Sequence, residues 1–138
     1  MTFEELNIVR TLKKQIAAEN KKLKALKIVI GAYPHKYGKS NESGVASGGL
    51  AKSDFENLAV QIVDAETQLE KFKTQLTEAV PRLTKQIQEE IKDDDGQALL
   101  IYRYVACEYF RNIGFLMGYS ENWVYWKHNQ ILKKFGVV

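Results

Sequence analysis

Apolar side chains recur at intervals of three and four residues along two stretches of the chain, and this spacing limits the fold more than any other feature. The first stretch runs from Val9 to Ile30 and the second from Phe55 to Ile91. Because an α-helix has 3.6 residues per turn, such spacing places the apolar side chains along one side of a helix. Only nine glycines and two prolines occur among the 138 residues. The sequence therefore predicts an all-α protein with two long amphipathic helices.

Capping-box patterns indicate where these two helices begin. Thr2 is followed three residues later by Glu5, and Ser53 is followed in the same way by Glu56. In this pattern the hydroxyl group and the carboxylate each accept a hydrogen bond from a backbone N–H that the first turn leaves unpaired. Pro81 lies inside the second stretch, and because proline lacks an amide proton and crowds the preceding turn, the helix must kink or restart near Val80. We expect a kink.

Residues 31–52 contain five of the nine glycines, several serines and Pro34, with almost no apolar periodicity. This composition predicts a long loop. Two helices joined by one loop form an antiparallel, coiled-coil-like hairpin, which we expect to occupy residues 1–92. Charge is consistent with this pairing, because residues 1–30 hold seven basic and three acidic side chains, whereas residues 51–97 hold six basic and eleven acidic ones.

Residues 93–138 are predicted to form a second domain of three short helices, at about 96–107, 109–117 and 120–135. One aspartate of the run Asp93-Asp94-Asp95 can cap the first of these helices. The pair Gly118-Tyr119 predicts a tight turn, and Ser120 is a suitable N-cap for the last helix. Two helices separated by a glycine turn, the second amphipathic and basic towards its end, are typical of a helix-turn-helix.

The segment NIGFLMGYSENWVYWKHNQILKKF, residues 112–135, resembles the helix-turn-helix of the sigma-70 C-terminal domain (region 4), which reads promoter DNA. Ile113-Gly114 matches an apolar residue followed by a small one, Val124 matches the inward position of the reading helix, and Leu132 closes the motif. Met117 and Tyr119 flank the turn. Two departures are Phe110, where a tryptophan is usual, and Lys127, where an apolar residue is usual.

Over roughly residues 40–135 the layout is similar to the ArpU/RinA-type late transcriptional regulators of phages and prophages of Gram-positive bacteria. The matching stretches are Asn57–Val60, Ile62–Asp64, Arg103–Val105, Met117–Ser120 and Val124-Tyr125, with His128 and Leu132. The resemblance implies a phage-encoded, sequence-specific DNA-binding regulator of transcription that acts in the cytoplasm of the bacterial host. It implies double-stranded DNA as the partner, and RNA polymerase is a further candidate. The apolar seams of the hairpin also suit a homo-oligomer.

By position, the resemblance implies that Glu121, Asn122 and Trp126 contact bases, with Tyr125 and Asn129 as their neighbours on the helix. Asparagine can pair with adenine through two hydrogen bonds, and glutamate can accept one from cytosine N4. Two alternatives stay open: Trp126 could pack against the scaffold helix or the N-terminal helices, and Glu121 could act only on the helix dipole.

Candidates for phosphate contacts are the basic side chains of the last third and the N-cap of the reading helix: Arg111, Ser120, Lys127, Lys133 and Lys134. The alternative is that these side chains are simply solvated surface residues with no ligand. We interpret the lysine-rich run between residues 13 and 27 in the same way. We expect His128 to be a structural hydrogen-bonding residue, Cys107 a buried small residue, and Arg103 a possible partner of Glu108.

The sequence gives no support for catalysis, a cofactor or a metal. It has one cysteine, no phosphate-binding glycine loop and no zincin motif. No stretch approaches the roughly 18 uncharged apolar residues of a membrane span, so we expect no membrane association. The rival to DNA binding is a non-catalytic helical interaction or structural phage protein, whose helix-turn-helix fold only packs or recruits a partner.

Overall fold

The computed structural model describes residues 1–39 and 45–136, with side chains described for 1–32 and 53–136. Within these ranges every regular element is helical, so the predicted all-α class is confirmed. The helices are α1 (Phe3–Leu6), α2 (Ile8–Lys39), α3 (Val45–Glu90), α4 (Asp94–Leu100), α5 (Phe110–Met117) and α6 (Glu121–Lys134). A π-helical turn, Ile101–Val105, continues directly from α4.

Residue contacts divide the chain into two compact units. The terminal unit comprises Met1–Lys13 and Thr74–Val138, and the paired-helix unit comprises Lys14–Lys73. In the terminal unit the N-terminal ammonium group lies 2.8 Å from a carboxylate oxygen of Glu90, so the start of the chain is held against the end of α3. The sequence predicted two domains, residues 1–92 and 93–138. The two compact units have other bounds, and the predicted domain division stays a prediction.

The paired-helix unit is built on one apolar seam between α2 and α3. Leu23, Ala65 and Leu69 are buried in it, and three partly buried side chains pack against them: Ile16, Leu26 and Ile62. An ion pair of 4.0 Å between Lys27 and Glu66 also joins the two helices. The complete antiparallel hairpin stays a prediction, because residues 40–44 lie outside the described part of the chain.

The predicted loop at 31–52 is wrong for its described residues, since α2 continues to Lys39 and α3 begins at Val45. Ser53 therefore lies inside α3 and does not cap it. Adding a residue to an existing helix needs no new nucleation, and each glycine costs only about 1 kcal/mol, so two long helices can extend into a glycine-containing segment. At Pro81 the helix does not restart, because α3 passes through it, and the kink expected there stays a prediction.

Helix ends in the terminal unit follow the predicted chemistry. Thr2 and Glu5 form the expected capping box, although Asn7 separates α1 from α2. Asp93 is the N-cap of α4, where its Oδ2 accepts a hydrogen bond from the Gly96 amide at 3.2 Å. The core of this unit contains the largest fully buried side chains: Leu6, Val9, Leu83, Ile87, Leu99, Leu100, Tyr104, Ile113 and Val124.

Candidate nucleic-acid interface

A tight turn at Gly118 sets the angle between α5 and α6. Gly118 has φ 77° and ψ 26°, in the left-handed region that glycine adopts without strain. The Tyr119 amide donates to the Gly114 carbonyl at 2.9 Å, as in a Schellman motif. The glycine turn predicted from the sequence is therefore present.

Gly114 allows α5 to approach the backbone of this turn. A Cβ atom at this buried position would lie 2.8 Å from the Tyr119 carbonyl oxygen and 3.4 Å from the Glu121 amide nitrogen. Backbone atoms cannot swing aside as a flexible side chain can. The lack of a side chain at Gly114 thus determines how closely α5 meets the start of α6.

Ser120 caps α6 as predicted. Its Oγ accepts a hydrogen bond from the Trp123 amide at 3.1 Å, and Glu121 stands in the first turn. A carboxylate in this position interacts favourably with the helix dipole. Ser120 remains exposed, so the hydroxyl proton can still be donated to another group.

The inward side of α6 is formed by Val124, His128, Ile131 and Leu132, all of them buried. Near the C-terminal end of α6, Ile131 packs against α4: a Cβ atom at Gly96 would lie 3.3 Å from Ile131 Cδ1. Glycine at position 96 therefore lets the start of α4 pack closely on α6. Because its inward side is fixed by α4 and α5, α6 has a defined outward side.

His128 is a buried structural residue, consistent with its predicted role. Its Nε2 and the Tyr104 hydroxyl are hydrogen-bonded at 2.5 Å, and the two rings stack. Phe110 meets the imidazole edge-on, at 4.9 Å between centroids. Burial, reinforced by the positive charge of Arg103, lowers the pKa of His128 to about 4. The imidazole is therefore neutral at physiological pH.

Lys127, a predicted phosphate contact, is engaged within the protein. Its Nζ lies 2.6 Å from Asp93 Oδ2, and only 19% of its side chain is exposed. The hydrogen bond from Lys127 holds the pKa of Asp93 below its usual value. The resembling motif usually has an apolar residue at this position. Here a partly buried lysine is accommodated by its ion pair with Asp93, the N-cap residue of α4.

The outward side of α6 brings together four of the five predicted base contacts with one predicted phosphate contact. These residues are Asn122, Tyr125, Trp126, Asn129 and Lys133, and all are exposed. At about 100° per residue they fall within an arc of about 100° around the helix. Glu121 lies beside this arc, in the first turn. We call these five residues the α6 outward face.

The two aromatic residues of the α6 outward face differ in their surroundings. The Tyr125 ring lies 4.6 Å from the Phe110 ring, measured between centroids, and is 46% exposed. Trp126 is 57% exposed. The structure thus places Trp126 at the surface, with more than half of its area exposed.

The remaining basic candidates lie at different places around α5 and α6. Arg111 is exposed on α5, and Lys133 and Lys134 are exposed in the last turn of α6.

Arg103, which was expected to pair with Glu108, is turned inward. Its guanidinium group donates a hydrogen bond to the backbone carbonyl of Glu108 at 3.0 Å and lies over the Phe110 ring, 4.1 Å from the centroid. The expected contact with Glu108 is therefore made to its backbone.

Sequence reasoning missed a connection between the turn and α4. The Tyr119 ring stacks on Trp123 at 3.8 Å, and its hydroxyl donates to Asp95 Oδ2 at 2.8 Å. This hydrogen bond raises the pKa of Tyr119.

Sequence reasoning also missed two exposed apolar residues on α5. Phe115 is 89% exposed, and the adjacent Leu116 is 53% exposed. No periodicity distinguishes such outward apolar residues from core residues in a helix of eight.

Among the described residues, no cluster of histidine, cysteine or carboxylate side chains could hold a metal ion. None of the helices, over the same residues, has the length and apolar character needed to cross a membrane. Comparison with known proteins gave no matching family, no matching curated protein and no matching solved structure.

Proposed function

We propose that α6 binds double-stranded DNA in the major groove and that the protein is a phage-encoded, sequence-specific transcriptional regulator of the late-gene type. The observation that carries this proposal is the α6 outward face. It presents hydrogen-bonding and aromatic side chains to solvent, while the opposite side of the same helix is fixed by buried contacts.

The dimensions of α6 suit this role. Its 14 residues span about 21 Å, and a helix fits the major groove, which is about 12 Å wide. Asn122 lies in the first turn, where a reading helix meets base edges, and Asn129 lies two turns further on the same side. We assign adenine recognition to Asn122 and contact with a thymine methyl group to Trp126.

Phosphate contacts in this proposal come from the residues that remain available for them. Arg111, Ser120, Lys133 and Lys134 are exposed, whereas Lys127 is paired with Asp93. Three cations are few, since phosphate neutralisation supplies much of the affinity of a DNA-binding protein. A single such reader also buries little DNA surface, so a second copy or RNA polymerase would supply the rest.

One observation favours the rival function, a non-catalytic interaction or structural protein. Phe115 and Leu116 expose apolar surface on the outer side of α5. Such a surface is typical of contact with another protein. The two functions differ in their salt dependence, because phosphate binding releases counterions and apolar contact does not.

Selection of bound sequences from a random DNA pool, followed by titrations at several salt concentrations, tests the proposal. We expect a preferred sequence and an affinity that falls steeply as salt rises. Absence of sequence preference at every salt concentration would contradict the proposal and favour the rival.

Two substitutions test the assigned roles. Asn122→Ala should cost about 1–3 kcal/mol on the selected site and relax preference at one base pair, whereas Lys133→Ala should weaken all sequences alike. Asn20→Ala, the same change at an exposed position of α2, is the matched control and should alter neither property. Equal loss from Asn122→Ala on every sequence would contradict a base-reading role.

A further inference from the structure

Three cationic side chains from distant parts of the sequence converge at the π-helical turn Ile101–Val105. Lys13 Nζ lies 3.5 Å from the Val105 carbonyl oxygen. Arg10 precedes Lys13 by three residues on α2, which places both side chains on the same side of that helix. Arg103 belongs to the turn itself. We call Arg10, Lys13 and Arg103 the basic cluster, and all three lie in the terminal unit.

No ion pair neutralises the basic cluster within the described part of the chain. Glu108 offers Arg103 its backbone carbonyl, while its carboxylate accepts a hydrogen bond from the Asn112 side chain at 3.2 Å. Burial and the positive charge of Arg10 lower the pKa of Arg103. Because like charges repel, an anion bound at the basic cluster would stabilise this arrangement.

The basic cluster adjoins one edge of the α6 outward face. The guanidinium carbon of Arg103 lies 4.1 Å from the centroid of the Phe110 ring, and that ring lies 4.6 Å from the Tyr125 ring. Tyr125 stands at one end of the arc of exposed residues around α6, and Trp126 stands at the other end. Contacts from Arg103 through Phe110 to Tyr125 therefore connect the basic cluster to one side of the proposed reading helix.

A helix that occupies the major groove has a phosphate backbone along each of its sides. The groove is about 12 Å wide, and a helix with its side chains is about 10–12 Å across, so groups beside the helix meet phosphates and not base edges. Lys13 is exposed and Arg10 is partly exposed, so both can reach an anion outside the protein. Their cationic groups form strong hydrogen bonds with phosphate oxygens.

We propose that Arg10 and Lys13 bind phosphate groups of the DNA strand that passes the Tyr125 edge of the α6 outward face, while Arg103 adds its positive charge behind them. This inference rests on the proposed binding of DNA by α6, and it makes the start of α2 part of the DNA-binding surface. It also takes Lys13 out of the lysine-rich run that the sequence assigned to solvated surface. The interface thereby gains cations beyond those of α5 and α6.

Titration of duplex DNA with the full chain at several salt concentrations, followed by fluorescence anisotropy, tests the basic cluster. Each phosphate contact contributes about 0.9 to the slope of log affinity against log salt concentration. The double variant Arg10→Gln/Lys13→Gln should lower this slope by about 2 and weaken binding at least about tenfold at about 0.1 M salt. Lys13→Gln alone, at an exposed position, should lower the slope by about 1. The loss should be equal on the selected site and on an unrelated duplex, because phosphate contacts carry no sequence information.

Two control variants separate a phosphate contact from a general change in charge. Arg82→Gln/Lys85→Gln removes the same two charges, at the same spacing, from exposed positions of α3. Arg82 lines a surface depression with Ile8, which is about 200° around α2 from Arg10, so this variant should keep the wild-type slope. Arg10→Lys retains the positive charge and should also keep it. Circular dichroism should show unchanged helix content in all variants.

The outcomes distinguish this inference from the proposed function. An unchanged slope in Arg10→Gln/Lys13→Gln, or an equal fall in the α3 control variant, would overturn the basic cluster and leave sequence-specific binding intact. Absence of sequence preference in the wild-type protein would contradict the proposed function, while the slopes on any bound duplex would still decide the basic cluster. Failure of the wild-type protein to bind any duplex would overturn both.

Discussion

The terminal unit and the paired-helix unit are held together in different ways. In the described part of the chain, the largest fully buried side chains all belong to the terminal unit, among them Leu99, Leu100 and Tyr104. The buried cluster of the paired-helix unit consists of Leu23, Ala65 and Leu69. Because apolar burial is the main favourable contribution to folding, we expect the terminal unit to have the larger free energy of unfolding.

Their backbones differ as well. The terminal unit contains three described residues with positive φ: Cys107 at 60°, Gly118 at 77° and Gly136 at 67°. It also has side-chain caps at Asp93 and Ser120. The described backbone of the paired-helix unit is continuous helix. Local geometry therefore fixes α6 in one orientation, whereas the paired-helix unit offers two long regular surfaces. A helix held in one orientation is what the DNA-binding role proposed for α6 requires.

The largest predicted effect concerns the pH dependence of the terminal unit. An unfolded histidine takes up its proton near pH 6.5, whereas folded His128 does so at about pH 4. Between these values the unfolded state binds more protons, so the free energy of unfolding falls as pH falls from 6.5 to 4. The expected loss is about 3 kcal/mol, and urea unfolding at a series of pH values measures it.

His128→Gln is the control for this prediction, because glutamine does not titrate. The variant will be less stable at neutral pH, but its stability should depend less on pH between 6.5 and 4. Carboxylates contribute equally to both proteins, so the difference between the two curves isolates the imidazole. Parallel curves would show that burial does not suppress protonation of His128.

A pair of glycine substitutions compares the two units directly. Gly114→Ala places a methyl group 2.8 Å from a carbonyl oxygen, and we expect it to destabilise the terminal unit by about 1–3 kcal/mol. Gly31→Ala is the same change at an exposed helical position of α2, with nothing within 4 Å of the new atom. It should stabilise the paired-helix unit by about 0.5–1 kcal/mol.

Thermal unfolding followed by circular dichroism would measure both glycine variants. The essential result is that the two substitutions change the free energy of unfolding in opposite directions. Should Gly114→Ala also be stabilising, the backbone of the turn can move away from α5, and the fixed orientation of α6 would lose its main support.

Local chemistry explains why the sequence predicted the ends of the short helices well. Asp93, Gly118 and Ser120 each act on a backbone group within a few residues, so their roles can be inferred from the sequence. The same local reasoning failed at residues 31–52. There, glycine and serine indicated a loop, but helices propagating from both sides extend into the segment.

Contacts between distant residues could not be predicted in this way. Lys127 pairs with Asp93, and Tyr119 with Asp95, across separations of 34 and 24 residues. No spacing rule links positions so far apart. The sequence therefore predicted most of the α6 outward face from helical periodicity, but it also assigned Lys127 to phosphate.

The smallest predicted effect concerns the weak seam of the paired-helix unit. Glu19 falls between Ile16 and Leu23, and its Oε2 is buried without a hydrogen-bond partner, 3.8 Å from the Lys22 ammonium group. A desolvated carboxylate oxygen lowers stability, and an apolar side chain here would continue the seam. Glu19→Leu should therefore raise the free energy of unfolding of the paired-helix unit by about 1 kcal/mol. Lys22→Ala, which removes only the partner, should change it by less than about 0.5 kcal/mol. Chemical unfolding of the three proteins distinguishes the possibilities: destabilisation by Glu19→Leu would mean that the carboxylate, and not the apolar seam, holds α2 and α3 together.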